Sequence, residues 1–278
     1  MTEEHTFRHE AMNTEFEVVI AQLGVDHALA RHVAALVFAE VDRLEEELSR
    51  FKPTSDIWRL SLLKAGQSAH VDFAAWDCLT LAKAVHAETK GAFDITLGPL
   101  MHLWRNPDGS QRVPLPGERE SARQRMGMSL FELDAERLRV TVQADDMLFD
   151  LGAVGKGYAL DQAVRILEQE GIHSAFLSAG ESTLVGTGTE GWPVNLHLEE
   201  PRSIRLSGDA LSCSGFEVQG GHLMNPRTLE PVPIEQRRCY VLAPTAALSD
   251  ALSTAFMIMA PNEIEAFLVK NPQVQLVS

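Results

Sequence analysis

The sequence has few cysteines, and their arrangement excludes two kinds of site. Cys78, Cys213 and Cys239 are far apart, odd in number and without a C-x-x-C spacing. Such a set forms neither a disulfide framework nor a zinc knuckle. Because 45% of the residues are hydrophobic and 23% are charged, we expect a globular protein with an ordinary core.

Basic residues are also scarce. The 24 lysines and arginines are outnumbered by 39 aspartates and glutamates, which gives a formal net charge of −15. The only adjacent basic pair in the sequence is Arg237–Arg238. A surface of this sign repels phosphate backbones and anionic lipids, so the composition disfavours binding of nucleic acid.

A long hydrophobic run is missing as well. The longest, at 251–260, is about half of the ~20 residues that a membrane span needs. The amino terminus, MTEEHTFRHE, is acidic and polar where a secretory signal would be basic and then apolar. We therefore expect no membrane span and a cytoplasmic location for the sequence as written, or a periplasmic location if it is a trimmed mature form.

The sequence does contain a mixture of helical and strand-like segments. Apolar residues at helical spacing predict amphipathic helices at 26–48, 72–91 and 157–171. Short apolar or alternating runs predict strands at 16–22 and 147–152 and a hairpin at 129–142. Because these elements do not follow a regular β-α-β alternation, we expect an α+β fold of mixed helices and antiparallel strands.

Turn-forming residues divide these elements without separating two domains. The stretch 105–120 has three prolines and two glycines and is expected to form an irregular loop within a single domain covering 1–278. The run GTGTEG at 186–191 has the letters of a dinucleotide fingerprint, but Trp192-Pro193 follows where a helix should begin. We expect a hairpin turn there.

The segment DLGAVGKGYALD at 150–161 is the first with the features of a site. It places a carboxylate at a strand end, three glycines within six residues, and Lys156 just before a predicted helix. Glycines allow close backbone approach to a ligand, and a helix amino terminus favours an anion. The pattern fits a phosphate or pyrophosphate site, and an ordinary tight strand-to-helix turn is the alternative.

A second such segment is LSDALSTAF at 248–256. Asp250 precedes Ser253 by three residues and Thr254 by four, so a helix places all three oxygen-bearing side chains on one face. Oxygen ligands of this kind suit Mg²⁺ or Ca²⁺ rather than zinc. The alternative is that Asp250 or Ser249 caps the amino terminus of the helix.

The third is GHLMNPRTLEP at 221–231, which contains His222. Histidine has the side-chain pKa best suited to a general base near neutral pH. A structural histidine is the alternative, since the chain has ten.

Taken in order along the chain, these segments resemble the FAD:protein FMN transferase family, also called the ApbE family. LSRFKPTSDIWRLS (48–61) is similar to the family's L-S-x-Y/F-x-x-x-S-x-I segment, and GAFDITLGPLMHLW (91–104) to its G-x-F-D-x-T-x-G-P-L. DLGAVGKGYALD matches the signature D-L-G-[AG]-x-x-K-G-Y/F-A-x-D. SCSGFE, GHLMNPRT and SDALSTAF follow in the family's order, and the resemblance covers residues of about 10–260.

This resemblance implies a fold, an activity and a set of site residues. The fold would be a single α+β domain of the ApbE type with the flavin site in a central cleft. The enzyme would cleave FAD, release AMP and attach FMN through its phosphate to a Thr or Ser of an acceptor protein. His222 would be the catalytic base, with Lys156 also catalytic. Metal ligands for Mg²⁺, or Ca²⁺ in its place, would be Ala153, Asp250, Ser253 and Thr254. The FAD site would include Met12, Phe51, Ala92, Phe93, Asp94, Asp150 and Lys156.

Two positions depart from the family pattern. Glu181 stands where the family usually has a second glycine, and Leu229 replaces the glycine expected after the Asn-Pro of the histidine segment. Both lie in segments near the expected flavin pocket. They leave two alternatives open: hydrolysis of FAD to FMN and AMP with water as the acceptor, and a degenerate member that binds flavin without turnover.

Overall fold

A central antiparallel sheet organises the protein. The computed structural model describes residues 3–104, 106, 110, 112–198, 202–215, 223–233 and 238–277. Seven strands pair in the spatial order β1-β2-β6-β7-β10-β13-β14. They are β1 His5–Ala11, β2 Thr14–Ile20, β6 Ala175–Ala179, β7 Thr183–Gly186, β10 Ala210–Ser214, β13 Cys239–Ala243 and β14 Gln275–Val277.

Smaller antiparallel units surround this sheet. A three-stranded sheet has the order β3-β5-β4, and two ribbons pair β8 with β9 and β11 with β12. Their bounds are β3 Ser68–His70, β4 Phe131–Asp134, β5 Arg139–Val142, β8 Trp192–Leu196, β9 Arg202–Leu206, β11 Met224–Asn225 and β12 Glu230–Pro231. The expected hairpin at 129–142 is the β4–β5 pair.

The helices lie between and beside these strands. They are α1 His27–Leu48, α2 Asp56–Ser61, α3 Phe73–Glu88, α4 Gly98–Leu103, α5 Pro116–Arg123, α6 Gly155–Gln169, α7 Ala246–Phe256 and α8 Pro261–Lys270. The Asp26 side chain caps α1 by accepting the N–H of Leu29 at 2.8 Å. In the described part of the chain, no helix combines the length and apolar character that crossing a membrane requires.

The two faces of the sheet are covered differently. Helices α1, α6 and α7 pack on one face around fully buried side chains such as Val41, Leu160 and Phe256. The β8–β9 ribbon covers part of the other face, where Leu206 packs with Leu211. The expectation of an α+β fold of mixed helices and antiparallel strands is confirmed.

The expected strand at 147–152 is wrong. The segment has the alternating burial of a strand, but its N–H groups bond outside any ladder: Phe149 N–H donates to Ser61 Oγ at 3.2 Å and Asp150 N–H to the Ile95 carbonyl at 2.7 Å. The run is therefore an extended crossing segment. Its carboxyl end places Asp150 next to the loop that contains Ile95.

Two expected turns also differ from the structure. The irregular stretch at 105–120 ends before Pro116, because proline suits the first position of a helix and Glu118 accepts the N–H of Leu115 at 2.7 Å. Residues 116–120 are thus helical, and part of the remainder lies outside the described residues. The 186–191 segment joins β7 to β8, which belong to different sheets, so it is a crossover connection rather than a hairpin turn.

Candidate active site

One open cavity collects residues that are far apart in the sequence. Its wall is formed by parts of the 92–97 loop, the 150–156 turn, Ser182, the 213–215 strand end, 223–224 and the 250–258 part of α7. Of the predicted site residues, it brings together Ala92, Phe93, Asp94, Asp150, Ala153, Lys156, Asp250 and Thr254. The segments 150–161, 221–231 and 248–256, which were singled out by their chemistry, therefore all contribute to this cavity. Residues 221–222 of the second segment lie outside the described residues.

The capping alternative for Asp250 is wrong. The amino-terminal cap of α7 is Thr245, whose hydroxyl accepts the N–H of Leu248 at 3.3 Å. Asp161 on α6 accepts the next N–H groups, from Ala246 at 2.7 Å and Ala247 at 2.9 Å. Because the end of the helix is already satisfied, Asp250 one turn further on is free to face the cavity.

Asp250 is a buried carboxylate with little to compensate its charge. It is 5% exposed, and Gly157 N–H donates to its Oδ2 over the long distance of 3.4 Å. Burial raises the pKa of Asp250, while the positive charge of Lys156 and the Gly157 N–H act in the opposite direction. A carboxylate in such a place is poised to accept a cation.

Hydroxyl groups lie beside this carboxylate. Thr254 lines the cavity, whereas Ser253 is fully buried and donates to the Asp250 carbonyl at 2.9 Å. Ser214 Oγ on β10 lies 2.8 Å from Ser253 Oγ and 3.2 Å from Thr254 Oγ1. Ser214 was missed by the sequence reasoning, although its place in the SCSGFE segment was a signal. Ser253 thus lies behind the cavity wall, and Ser214 and Thr254 form it.

The glycine-rich turn approaches α7 closely. Lys156 is the second residue of α6 rather than the residue before it, and its Nζ donates to the Gly152 carbonyl at 3.1 Å. A Cβ at Gly157 would lie 2.3 Å from the Ala246 carbonyl oxygen, so only glycine fits there. Gly157 N–H points to Asp250. The amino end of α6 is therefore tied to the candidate metal residue, and Lys156 supplies the positive charge at the cavity.

The 92–97 loop forms the opposite wall. Asp94 Oδ1 accepts the N–H of Thr96 at 2.7 Å and its hydroxyl at 2.6 Å. Burial raises the pKa of Asp94, and the hydrogen bonds from Thr96 oppose that shift. The His86 ring is fixed against the Phe93 carbonyl at 2.7 Å. These contacts hold the loop in one shape against the cavity.

Besides Ser253, two predicted residues, Met12 and Phe51, do not line the cavity. Met12 lies in the β1–β2 turn, where it and Asn13 have φ values of 49° and 59°, as a two-residue type I′ turn requires. Phe51 is 72% exposed in the loop between α1 and α2. His222 lies outside the described residues, although the next residue, Leu223, lines the cavity.

The two departures from the family pattern do not obstruct the cavity. Glu181 is exposed in the β6–β7 turn and is not part of the wall, which includes its neighbour Ser182. Leu229 has the φ of 62° that its glycine counterpart would adopt easily. It is 6% exposed and packs with Leu100, Met126 and Met224. The leucine therefore combines backbone strain with an added apolar contact.

Comparison with known proteins agrees with this geometry. A family model described as the ApbE family matches residues 12–277. The chain belongs to the ApbE family. Among curated proteins, the FAD:protein FMN transferase of Klebsiella pneumoniae (strain 342) is 30% identical over 267 residues, which cover 88% of this chain and 76% of that protein. The FAD:protein FMN transferase of Escherichia coli (strain K12) is 28% identical, with 86% and 74% covered.

Solved structures of ApbE proteins share the fold. The flavin transferase ApbE from Vibrio cholerae superimposes with a TM-score of 0.88 at 19% identity, covering 99% of this chain and 94% of that one. The apo form of the flavinyl transferase ApbE from Pseudomonas stutzeri gives 0.86 at 24% identity, with 98% and 89% covered. The expected ApbE resemblance is confirmed by the family model and the curated relatives.

Proposed function

We propose that this chain is an FAD:protein FMN transferase. The oxygen of a Thr or Ser hydroxyl on an acceptor protein attacks the phosphorus of the FMN half of FAD. The bond from that phosphorus to the bridging oxygen breaks, and AMP leaves. The observation that supports this proposal most strongly is the convergence of Asp94, Lys156 and Asp250 on one cavity in a chain that belongs to the ApbE family.

The cavity has residues that fit a hard divalent cation. Among the described residues no group of three or more His, Cys, Asp or Glu could hold a metal ion. The candidate set is instead one buried carboxylate, Asp250, with the Thr254 hydroxyl and the Ala153 backbone oxygen. Oxygen donors of this kind suit Mg²⁺, and also Ca²⁺, and a cation would offset the charge that burial makes unfavourable on Asp250. When bound, Mg²⁺ neutralises negative charge that develops on phosphate oxygens during transfer.

The residues of the chain supply positioning and charge. Lys156 is 8% exposed and lies at the cavity, where its ammonium can hold phosphate oxygens in a site of low dielectric. Apolar side chains such as Ile95, Met224 and Ile258 give the flavin ring a hydrophobic surface. The proton of the acceptor hydroxyl passes to a general base, for which His222 is the prediction.

Transfer is tested by incubating the purified protein with FAD, Mg²⁺ and an acceptor polypeptide that carries the target Thr. We expect flavin fluorescence that stays with the acceptor after denaturing electrophoresis. His222→Ala should lose this transfer and retain binding of FAD. A wild-type protein that leaves the acceptor unlabelled would refute the proposal.

Hydrolysis with water as acceptor uses the same cavity and is separated by the same assay. Rapid release of AMP and FMN without an acceptor would favour hydrolysis. Tight binding of FAD with no AMP in either condition would favour a flavin-binding protein without turnover. The exposed position of Glu181 and the packing of Leu229 outside the wall give neither alternative a specific structural support.

The location in the cell remains a prediction. We propose a cytoplasmic location, with a periplasmic location as the alternative. Fractionation of cells that express the natural gene would test this.

A further inference from the structure

Arg50 makes two contacts that join the edge of the cavity to an exposed aromatic ring. Its Nε lies 3.3 Å from Oδ2 of Asp150, which lines the cavity. Its guanidinium carbon lies 4.4 Å from the centre of the Phe51 ring. Neither contact was predicted from the sequence, because the pattern L-S-x-Y/F specifies no residue at the position of Arg50.

The Asp150 end of this arrangement is fixed. Asp150 Oδ1 accepts the N–H of Gly152 at 2.9 Å, which leaves Oδ2 for Arg50. Both charged side chains are largely shielded, with 23% of Arg50 and 22% of Asp150 exposed. A guanidinium held in this way has less freedom to lose when it stacks on a ring.

The Phe51 end is open. The residue is 72% exposed although it is aromatic, and Arg50 covers only one part of its surface. An exposed ring that is held by a fixed cation offers its free surface to another planar group. FAD, the proposed substrate, has two planar ring systems, adenine and isoalloxazine.

We infer that Arg50 is a positioning residue for the dinucleotide: it fixes the ring of Phe51, which the ApbE resemblance already implies for the FAD site, beside Asp150, so that one planar ring of FAD can stack on it. This inference rests on the proposed function. It assigns no chemical step to Arg50, which acts through Phe51. A purely structural Arg50 would instead join the loop after α1 to the 150–156 turn and have no preference among ligands.

The first test is the affinity for FAD, measured by calorimetry with Mg²⁺ present and acceptor omitted. We expect Arg50→Gln to weaken FAD binding about three- to fivefold, the range given by a partly exposed cation–π contact. The FAD affinity of Arg50→Lys should lie between those of the wild type and Arg50→Gln, because an ammonium keeps the ion pair but lacks the flat stacking surface. The matched control is Arg137→Gln, which removes an exposed pair with Asp134 away from the cavity wall and should change the affinity less than about twofold.

The second test uses AMP and FMN as separate probes for the two ring systems. Arg50→Gln should weaken binding of the probe whose ring stacks on Phe51 and leave the other unchanged. A double-mutant cycle with Phe51→Leu should be strongly non-additive, since Arg50 has nothing to position once the ring is gone. In turnover, KM for FAD should rise while kcat stays within about twofold of the wild type.

Three results would overturn the inference. They are an unchanged affinity for FAD in Arg50→Gln, an equal loss for AMP and FMN, and additive effects of Arg50→Gln and Phe51→Leu. A wild-type protein that binds no FAD at all would overturn the proposed function and this inference with it. Binding of FAD by the wild type with any of the three results would overturn the role of Arg50 alone.

Discussion

Asp250 is the residue on which the proposed chemistry depends most. Its carboxylate is almost completely buried, and burial raises its pKa because the neighbouring charge of Lys156 compensates it only in part. A neutral amide of the same shape would remove this unfavourable charge, but it would be a much weaker ligand for a divalent cation. Function and stability therefore make opposite demands at this position.

Asp250→Asn should separate these demands. We expect the proposed Mg²⁺-dependent activity to fall about 10³-fold or more, since a metal held there would contribute several kcal/mol to stabilising the transition state. The melting temperature without metal should be equal to or higher than that of the wild type. The matched control is Asp146→Asn on the exposed pair with Lys64, which should keep full activity. Retained activity in Asp250→Asn would remove Asp250 from the metal site.

Leu229 is a residue where strain and packing can be measured separately. The residue adopts a φ of 62°, which costs a non-glycine residue about 1 kcal/mol, while its buried side chain contributes several times that amount. We expect both Leu229→Gly and Leu229→Ala to be less stable than the wild type. Leu229→Gly should be the more stable of the two by about 1 kcal/mol, because glycine is free of the strain. Denaturant unfolding measures the order, and a less stable glycine variant would contradict this account.

At the scale of elements, α6 and α7 hold the cavity together. Asp161 on α6 accepts hydrogen bonds from the first N–H groups of α7. At the amino end of α6, the Gly157 N–H in turn donates to Asp250 on α7. The helices can approach this closely only because Gly157 has no Cβ. The position of Asp250, the candidate metal residue, is thus fixed by the hydrogen bonds at the amino ends of α6 and α7.

Asp161 gives this helix contact a pH dependence. Burial raises the pKa of Asp161 above its ordinary value of 3.8, against the effect of the two backbone N–H groups. Because the folded-state pKa is the higher one, the stabilisation is complete below pH 3.8 and is lost as the pH rises through the folded-state value. Asp161→Asn has no such titration. Its free energy of unfolding relative to the wild type should therefore rise from about pH 4 to about pH 7. Urea unfolding at both pH values checks this. If the free energy of unfolding of Asp161→Asn relative to the wild type fell between these pH values, the account of Asp161 would be contradicted.

The elements also show what the sequence can predict. The long helices α1, α3 and α6 were predicted within a few residues, because their apolar stripes extend over several turns. The strand expected at 147–152 was wrong, because burial alternates in any extended segment and only hydrogen bonding to a neighbour makes it a strand. Short elements such as α2 and α4 have too few turns to show a period.

The candidate site was predictable where chemistry and family pattern coincide. The residues Asp150, Lys156, Asp250 and Thr254 were predicted and do meet at the cavity. Ser214 was missed although it lies in the SCSGFE segment, and Arg50 was missed because its significance comes from contacts with residues distant in the chain. No local pattern encodes such contacts.

At the scale of the whole molecule, the charge of −15 acts against an anionic substrate. Repulsion over the surface is screened within about 8 Å at physiological ionic strength, whereas contacts inside the cavity are screened far less. At constant Mg²⁺, we expect the association rate of FAD to increase as NaCl is raised from about 10 to 150 mM. Stopped-flow flavin fluorescence measures this rate. A rate that decreases with salt would show that a local positive field, rather than the net charge, controls the approach of FAD.

The most direct test of the central claim is the amount of AMP formed from FAD, measured by chromatography together with the flavin that becomes attached to the acceptor. The account predicts that wild-type protein with Mg²⁺ forms one AMP for each flavin attached, and that Asp250→Asn, still folded, forms neither. Equal AMP formation by the wild type and a folded Asp250→Asn variant, or attachment of flavin without AMP, would contradict it.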